Sequence, residues 1–184
     1  MKKIVITVSG PPGSGKSTHA KKIAEKLNLR YFSIGRYFRE IASRMNLSLE
    51  EFQRIAEKDP KYDLEADNRT LIEAERGNVV IDGHLTGWIA KDKADIKIYL
   101  TASLEERAKR IAKRDGKTFE QAMNDIKRRE ESNTTRYKTF YGINLDDLSI
   151  YDIVINTEKW GEEEVSETLI YLIQRYMERR NAFN

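Results

Sequence analysis

The run Gly10-Pro11-Pro12-Gly13-Ser14-Gly15-Lys16-Ser17-Thr18 holds the densest chemistry in the chain. It matches in full the pattern of glycine, any four residues, glycine, lysine and a hydroxyl residue. An apolar stretch at residues 4–8 precedes it and a helical pattern follows, the context this pattern needs. Glycines let the backbone turn sharply and aim N–H groups at anionic oxygens. A helix opening near Lys16 adds the positive end of its dipole. Lys16 then suits the β- and γ-phosphates of a nucleoside triphosphate such as ATP, and the Ser17 hydroxyl suits Mg²⁺.

Three further groupings could bring a second anion to that loop. Arg36 and Arg39 are three residues apart and are expected on one face of a helix, where guanidinium forks suit a dianionic phosphate. Asp82 ends the apolar run 78–82 and could hold a water of the Mg²⁺ ion. Gly83 permits close approach of an acceptor, and His84 is expected beside its phosphate, binding the dianion best when protonated. The third grouping is the stretch 103–138, with eleven Lys/Arg against seven Asp/Glu. It carries Arg107, Arg110, Arg114, Arg128, Arg129 and Arg136. Phosphoryl transfer asks chiefly for positioning and for neutralisation of spreading negative charge. A mobile, arginine-bearing flap that closes over both nucleotides would supply both. His19, the only other histidine, has no role in this reading.

Other uses of a phosphate loop fit less well. A switch GTPase needs a glycine in the fourth place after Asp82, where Leu85 stands, and an Asn-Lys-x-Asp sequence, which is absent. An RNA- or nucleotide-binding module would explain the basic stretch but leaves Lys16, Ser17 and Asp82 without employment. Nor are stacking aromatics interleaved with the basic residues. Among kinases, these groupings fit a small acceptor that carries a phosphate, a nucleoside monophosphate, with AMP and UMP among the alternatives.

These groups need a scaffold that gathers strand ends. Apolar runs at 4–8, 31–34, 78–82, 96–100 and 153–155 alternate with helical patterns. Residues 16–28 place Ala20, Ile23, Ala24 and Leu27 on one face, and the last helix stripes Val165, Leu169, Leu172, Ile173 and Tyr176. Helices are also predicted over 36–45 and 63–76. Ser48-Leu49-Glu50-Glu51, Ser103-Leu104-Glu105-Glu106 and Thr118-Phe119-Glu120-Gln121 read as capping boxes, the last opening a helix to about residue 136. Residues 83–87 read as a loop. The alternation predicts an α/β fold of three layers, a five-stranded parallel sheet covered on both faces, with ligands at the carboxyl ends of the strands.

The bulk numbers bound this reading. A chain of 184 residues predicts one domain. Its 39% apolar and 34% charged residues are too apolar for disorder and too charged for a membrane protein. The apolar run after Met1-Lys2-Lys3 stops at Gly10 and is expected to be a strand, not a leader. With no cysteine, disulfides and thiolate metal sites are excluded.

With these residues in view, the chain resembles the nucleoside monophosphate kinases, and among them the short, archaeal-like cytidylate kinases. The likeness covers nearly the whole chain. Ser33-Ile34-Gly35 with Arg39 resembles the acceptor-phosphate segment. Asp82-Gly83-His84-Leu85-Thr86-Gly87 is similar to the Asp-Gly-Arg-x-x-Gly of cytidylate kinases, with His84 where arginine is usual. Ala94 to Ser103 with Glu106 to Arg110 follows the entry to the lid, and Arg128-Arg129-Glu130-Glu131-Ser132 with Arg136-Tyr137 resembles its arginine segment. Asn133 stands where longer members have an acidic residue. Asp147 to Thr157 is similar to the stretch before the last strand.

The resemblance implies one P-loop kinase domain over residues 1–184, with its core at 1–35, 77–106 and 139–184. An acceptor-binding insertion falls at about 36–76 and a helical lid at about 107–138. It implies transfer from ATP to CMP or dCMP, with Mg²⁺ held by Ser17 and, through water, by Asp82. Lys16, Arg129 and Arg136 would be catalytic, and Arg107 and Arg110 would join residues 10–18 on ATP. Ser33, Gly35, Arg36, Arg39, Asp63, Arg69, Gly83, His84 and Gly87 would hold the acceptor, with Asp67 a further candidate for reading the base. It also implies a cytoplasmic monomer that handles small nucleotides, without nucleic acid or membrane.

Overall fold

The computed structural model describes residues 3–182. Met1 and Lys2 of the amino-terminal run, and residues 183–184 at the end of the expected core, lie outside them. The elements follow in the order β1 (Val5–Ser9), α1 (Lys16–Lys26), β2 (Arg30–Ser33), α2 (Ile34–Arg44), α3 (Leu49–Ala56), α4 (Lys61–Arg76) and β3 (Val79–Asp82). Then come α5 (Thr86–Ile89), β4 (Ile96–Thr101), α6 (Leu104–Asp115), α7 (Phe119–Tyr141), β5 (Ile153–Asn156) and α8 (Glu162–Ala182).

All five strands are parallel, in the order β2-β3-β1-β4-β5. The register sets Asp82 beside both Val8 and Ser33, so the carboxyl ends of β1, β2 and β3 finish level. Period-two alternation sends Ile4, Ile6 and Val8 to one face, where Ile23 of α1 and Leu169 and Ile173 of α8 cover them. Val5, Val79 and Ile81 point to the other face, against Ala74 of α4 and Ala90. β1 and β3 are therefore buried throughout.

Coverage of all five strands on both faces, expected from the sequence, holds only for the middle of the sheet. β4 alternates buried with half-buried residues, and β5 is an edge strand whose Val154 is 47% exposed. The reason lies in α6 and α7. They pack on each other through Ala108, Ile111, Ala122 and Ile126, a separate small core. Several boundaries also move. α2 starts at Ile34 because the Ser33 hydroxyl caps it, accepting from the Arg36 backbone N–H at 3.3 Å. α4 starts at Lys61, directly after Pro60. The stretch expected as a loop at 83–87 turns into α5, and α7 continues past residue 136 to Tyr141, where Gly142 ends it in the left-handed region.

Candidate active site

The loop between β1 and α1, residues 10–15, is shaped by its backbone. Gly10 has φ 142°, and a Cβ there would overlap the Leu100 carbonyl oxygen. Gly15 caps α1 at φ 90° with no side chain, which leaves the first N–H groups of the helix open to a ligand. Lys16 is half-buried and donates to the Pro11 carbonyl at 2.7 Å. Burial drives its pKa down to about 8, against the pull of Asp82 and with help from Arg129 and Arg107. Asp82 faces it, accepting from the Tyr31 hydroxyl and, at 3.2 Å, from Ser33 Oγ.

Arg107 and Arg110 brace this loop from behind. Arg107 donates to the carbonyls of Pro12 (3.2 Å) and Ala102 (3.0 Å) and pairs with Glu130 at 2.6 Å. Arg110 donates to Thr157 Oγ1 and to the Thr157 carbonyl, while that hydroxyl donates to the Ser14 carbonyl at 3.2 Å. Neither arginine lines the cleft. Both arginines, expected on ATP, spend these donors on the loop and its flanking carbonyls.

The cleft runs from the loop to a second end built by side chains. Arg39 and Gly35 of α2 line it, as do Gly83, His84, Arg129, Arg136, Asp63 and Asp67. Among the described residues neither Arg39 nor Arg129 makes an ion pair. Asp63 accepts from Arg136 Nη1 at 3.2 and 3.1 Å, and both side chains are 6% exposed. Burial raises the pKa of Asp63 more than Arg136 lowers it. Arg136 Nη2 donates to Asn133 Oδ1 at 2.8 Å, and Asn133 Nδ2 lies 2.8 Å from His84 Nδ1. Asp67 accepts from the Tyr141 hydroxyl, and burial pushes its pKa up to about 6.

Four residues expected on the acceptor side, Arg36, Arg69, Ser33 and Gly87, do not line this cleft. Arg36 points outward, 71% exposed and paired with Glu40 at 2.9 Å, because three residues still separate two side chains by about 60° around a helix. Arg69 pairs with Glu73 at 3.0 Å and lies over the Phe32 ring. Glu73 is a buried carboxylate that also draws Arg30 and Arg76. Ser33 uses its hydroxyl on Asp82 and on the α2 cap. Gly87 donates its N–H to Ser9 Oγ at 2.9 Å, and a Cβ there would sit 2.5 Å from Tyr151, so it packs against the sheet. The His84 ring is half-buried. Burial first, then the charges of Lys16, Arg129, Arg136 and Arg107, bring its pKa down to about 3, so these neighbours disfavour the protonated form.

Comparison with known proteins fixes the family. The profile of the Cytidylate kinase-like family matches residues 5–159. The chain belongs to this family. A cytidylate kinase of Staphylothermus marinus is 51% identical over 174 residues, 95% of this chain and 98% of that one. One of Ignicoccus hospitalis is 52% identical over 165 residues, 90% of this chain and 96% of the relative. In fold, the chain is similar to a shikimate kinase from Bacteroides thetaiotaomicron, with TM-score 0.62 at 19% identity over 94% of this chain and 99% of that one. An uncharacterized protein from Eubacterium ventriosum gives TM-score 0.72 at 23% identity over 94% and 99%.

For this family member the cleft also includes residues that sequence reasoning left out of the site. Asn133 and Tyr137 join Arg129 and Arg136 on one face of α7. Thr70 joins Asp63 and Asp67 on α4, and Gln53 and Phe38 complete the wall. A signal for them existed. Positions 129, 133, 136 and 137, and positions 63, 66, 67 and 70, follow the helical period. Both stripes are polar apart from Ala66, and they line the same cleft.

Proposed function

We propose that this chain transfers the γ-phosphoryl group of ATP to the phosphate of CMP, and of dCMP as a second acceptor. One observation carries the reading beyond family membership. Two cations without ion pairs, Arg39 and Arg129, line a single cleft with Lys16 of the phosphate loop, while buried Asp63 and Asp67 line its far end. Three cations suit a triphosphate and a monophosphate meeting end to end, and acidic and amide groups suit the exocyclic amine of cytosine.

In this reading the open N–H groups of residues 13–17 cradle the donor phosphates. Lys16 leaves the Pro11 carbonyl to neutralise charge developing between the β- and γ-phosphates. Arg39 holds the acceptor phosphate in line, and Arg129 meets the transferring group as α6 and α7 close as a lid. No general base is required, since the acceptor oxygen is already ionised. Arg136 joins Arg129 only by loosening its hold on Asp63, and until then it anchors α7 to α4. Ser17 and Asp82 fit Mg²⁺ that arrives with ATP: one hydroxyl, and one carboxylate that accepts from Tyr31 and Ser33. No cluster of three metal-ligating carboxylates or histidines exists among the described residues, in keeping with an ion held largely by phosphates and water. Held there, the ion would supply positive charge against the developing negative charge of the phosphates.

No helix among the described residues is long and apolar enough to cross a membrane, and we take the working unit to be a monomer acting on dissolved nucleotides. A coupled assay of ADP release with ATP and Mg²⁺ tests the reading against CMP, dCMP, UMP, AMP and GMP. CMP should give the highest kcat/KM. A higher value for AMP, GMP or UMP would reassign the acceptor.

A further inference from the structure

We propose that His84 meets the acceptor's phosphate as a neutral hydrogen-bond donor, its single proton fixed on Nε2 by a relay that runs from Asp63 through Arg136 and Asn133. This rests on the kinase reading above and assigns the one position where the chain departs from the arginine usual in its motif.

The relay follows from what each group can give. An arginine only donates, so the Asn133 atom 2.8 Å from Arg136 Nη2 must be its carbonyl oxygen. The opposite amide orientation would set two donors face to face. The Asn133 NH₂ therefore points at His84 Nδ1, 2.8 Å away, and Nδ1 must present a lone pair. A neutral ring with a lone pair on Nδ1 carries its proton on Nε2. Arg136 is in turn held by both oxygens of Asp63. Three elements take part, with α4 setting the arginine, the arginine the amide, and the amide the imidazole on the turn after β3. Tyr137 packs its ring against the imidazole with centroids 5.8 Å apart, which limits rotation.

This arrangement divides the work at the acceptor phosphate. Arg39, Arg129 and Lys16 already supply positive charge. His84 adds direction, one N–H that can reach a phosphate oxygen without placing a further cation in the cleft. Asn133 is thus a positioning residue, and His84 a binding one.

His19 provides an internal control. Its Nδ1 lies 2.8 Å from Ser166 Oγ, and that hydroxyl donates its proton to the Glu162 carbonyl at 2.9 Å. Ser166 must accept, so His19 carries its proton on Nδ1. The only two histidines of the chain are opposite tautomers.

Long-range ¹H–¹⁵N correlation on ¹⁵N-histidine-labelled protein near neutral pH reads both rings. The expected spectrum has one Nδ1–H ring, lost in His19→Gln, and one Nε2–H ring, lost in His84→Gln. Asn133→Asp, close to isosteric, should place a proton on Nδ1 of His84 and leave the His19 signals unchanged. Saturating CMP should move the His84 Nε2–H resonance downfield, and cytidine, which lacks the phosphate, should not. His84→Ala should raise the CMP KM about ten-fold, the loss of one hydrogen bond to a charged group, with the ATP KM within about two-fold. His84→Gln, which keeps an N–H, should recover most of that loss. A doubly protonated or Nδ1–H His84 in the wild type overturns the proposal, as does an Asn133→Asp spectrum identical to wild type. An equal shift with cytidine overturns the phosphate contact. A wild type that turns over CMP with either result keeps the kinase reading and loses this one. An enzyme inactive on every monophosphate fails the kinase reading, whatever the tautomers.

Discussion

The two ends of the cleft are built in opposite ways. The end proposed for the donor is one continuous stretch, residues 10–18, whose backbone N–H groups and glycine geometry suit phosphates, with Lys16 as its half-buried cation. The acceptor end is a set of side chains from α2, α4, α7 and the turn after β3, which meet only because the sheet and helices bring them together. At the donor end the groups that bind are separate from those that hold the fold. At the acceptor end Arg136 and Asp63 do both, since they tie α7 to α4 while lining the cleft. Function and stability should therefore come apart at one end and move together at the other.

Arg136→Ala tests this most severely. It leaves Asp63 buried without its partner, and such broken pairs cost about 3–5 kcal/mol. Urea unfolding should show that loss along with a fall in kcat. A variant as stable as wild type would mean that α7 is not anchored through this pair.

Lys16→Ala should cut kcat by on the order of 10² or more, the usual effect of removing a preorganised charge from a transition state. Its folding free energy should nonetheless rise at neutral pH. The folded-state pKa lies below the unfolded one, so the ion is penalised in the ligand-free fold at neutral pH, and the penalty fades above the unfolded value. Single-turnover kinetics with thermal unfolding separate the two effects. A Lys16→Ala protein that is less stable would erase the contrast between the two ends.

Arg39→Ala should raise the CMP KM about ten-fold or more, the scale of a hydrogen bond between charged groups, with little change for ATP. Steady-state kinetics with each nucleotide varied in turn would show it. A change confined to ATP would exchange the two ends.

The smallest effect expected is at Asp67. Its folded pKa of about 6 lies above the usual carboxylate value, so its contribution to stability is present at low pH and lost as pH rises through about 6. Asp67→Asn still accepts from Tyr141 and carries no charge. It should be about 1–2 kcal/mol more stable than wild type above neutrality, part of the roughly two-unit shift converted at 1.36 kcal/mol per unit. Near pH 4 the two should be equal. Chemical denaturation across that range reads the difference directly.

The same contrast decides what could be read from the sequence. Residues 10–18 were legible because the loop is local: every group needed lies within nine positions, and the flanking strand and helix announce themselves by period. The strand pattern gave the parallel sheet for a similar reason. Arg36 and Arg39 show where local reading stops. Both occupy one helix, but only the packing of α2 decides which of them turns inward. Arg107 and Arg110 have the right type for a nucleotide, yet the carbonyls of Pro12, Ala102 and Thr157 claim them. Asn133 was marked in the sequence only by its place in the motif, and its contacts with Arg136 and His84 needed α7 folded against elements far away in the chain.

The relay from Asp63 to His84 also governs how this chain can change over generations. Each donor in it has one acceptor, so a substitution is tolerated only if the partners still match. His84→Arg alone would point a donor at the NH₂ of Asn133, leaving two donors opposed in a buried site. Paired with Asn133→Asp, the same change gives one carboxylate that accepts from both arginines. Positions 84 and 133 should thus be inherited as a unit, with histidine and asparagine as one state, arginine and an acidic residue as the other, and single-step intermediates the least fit of the four combinations.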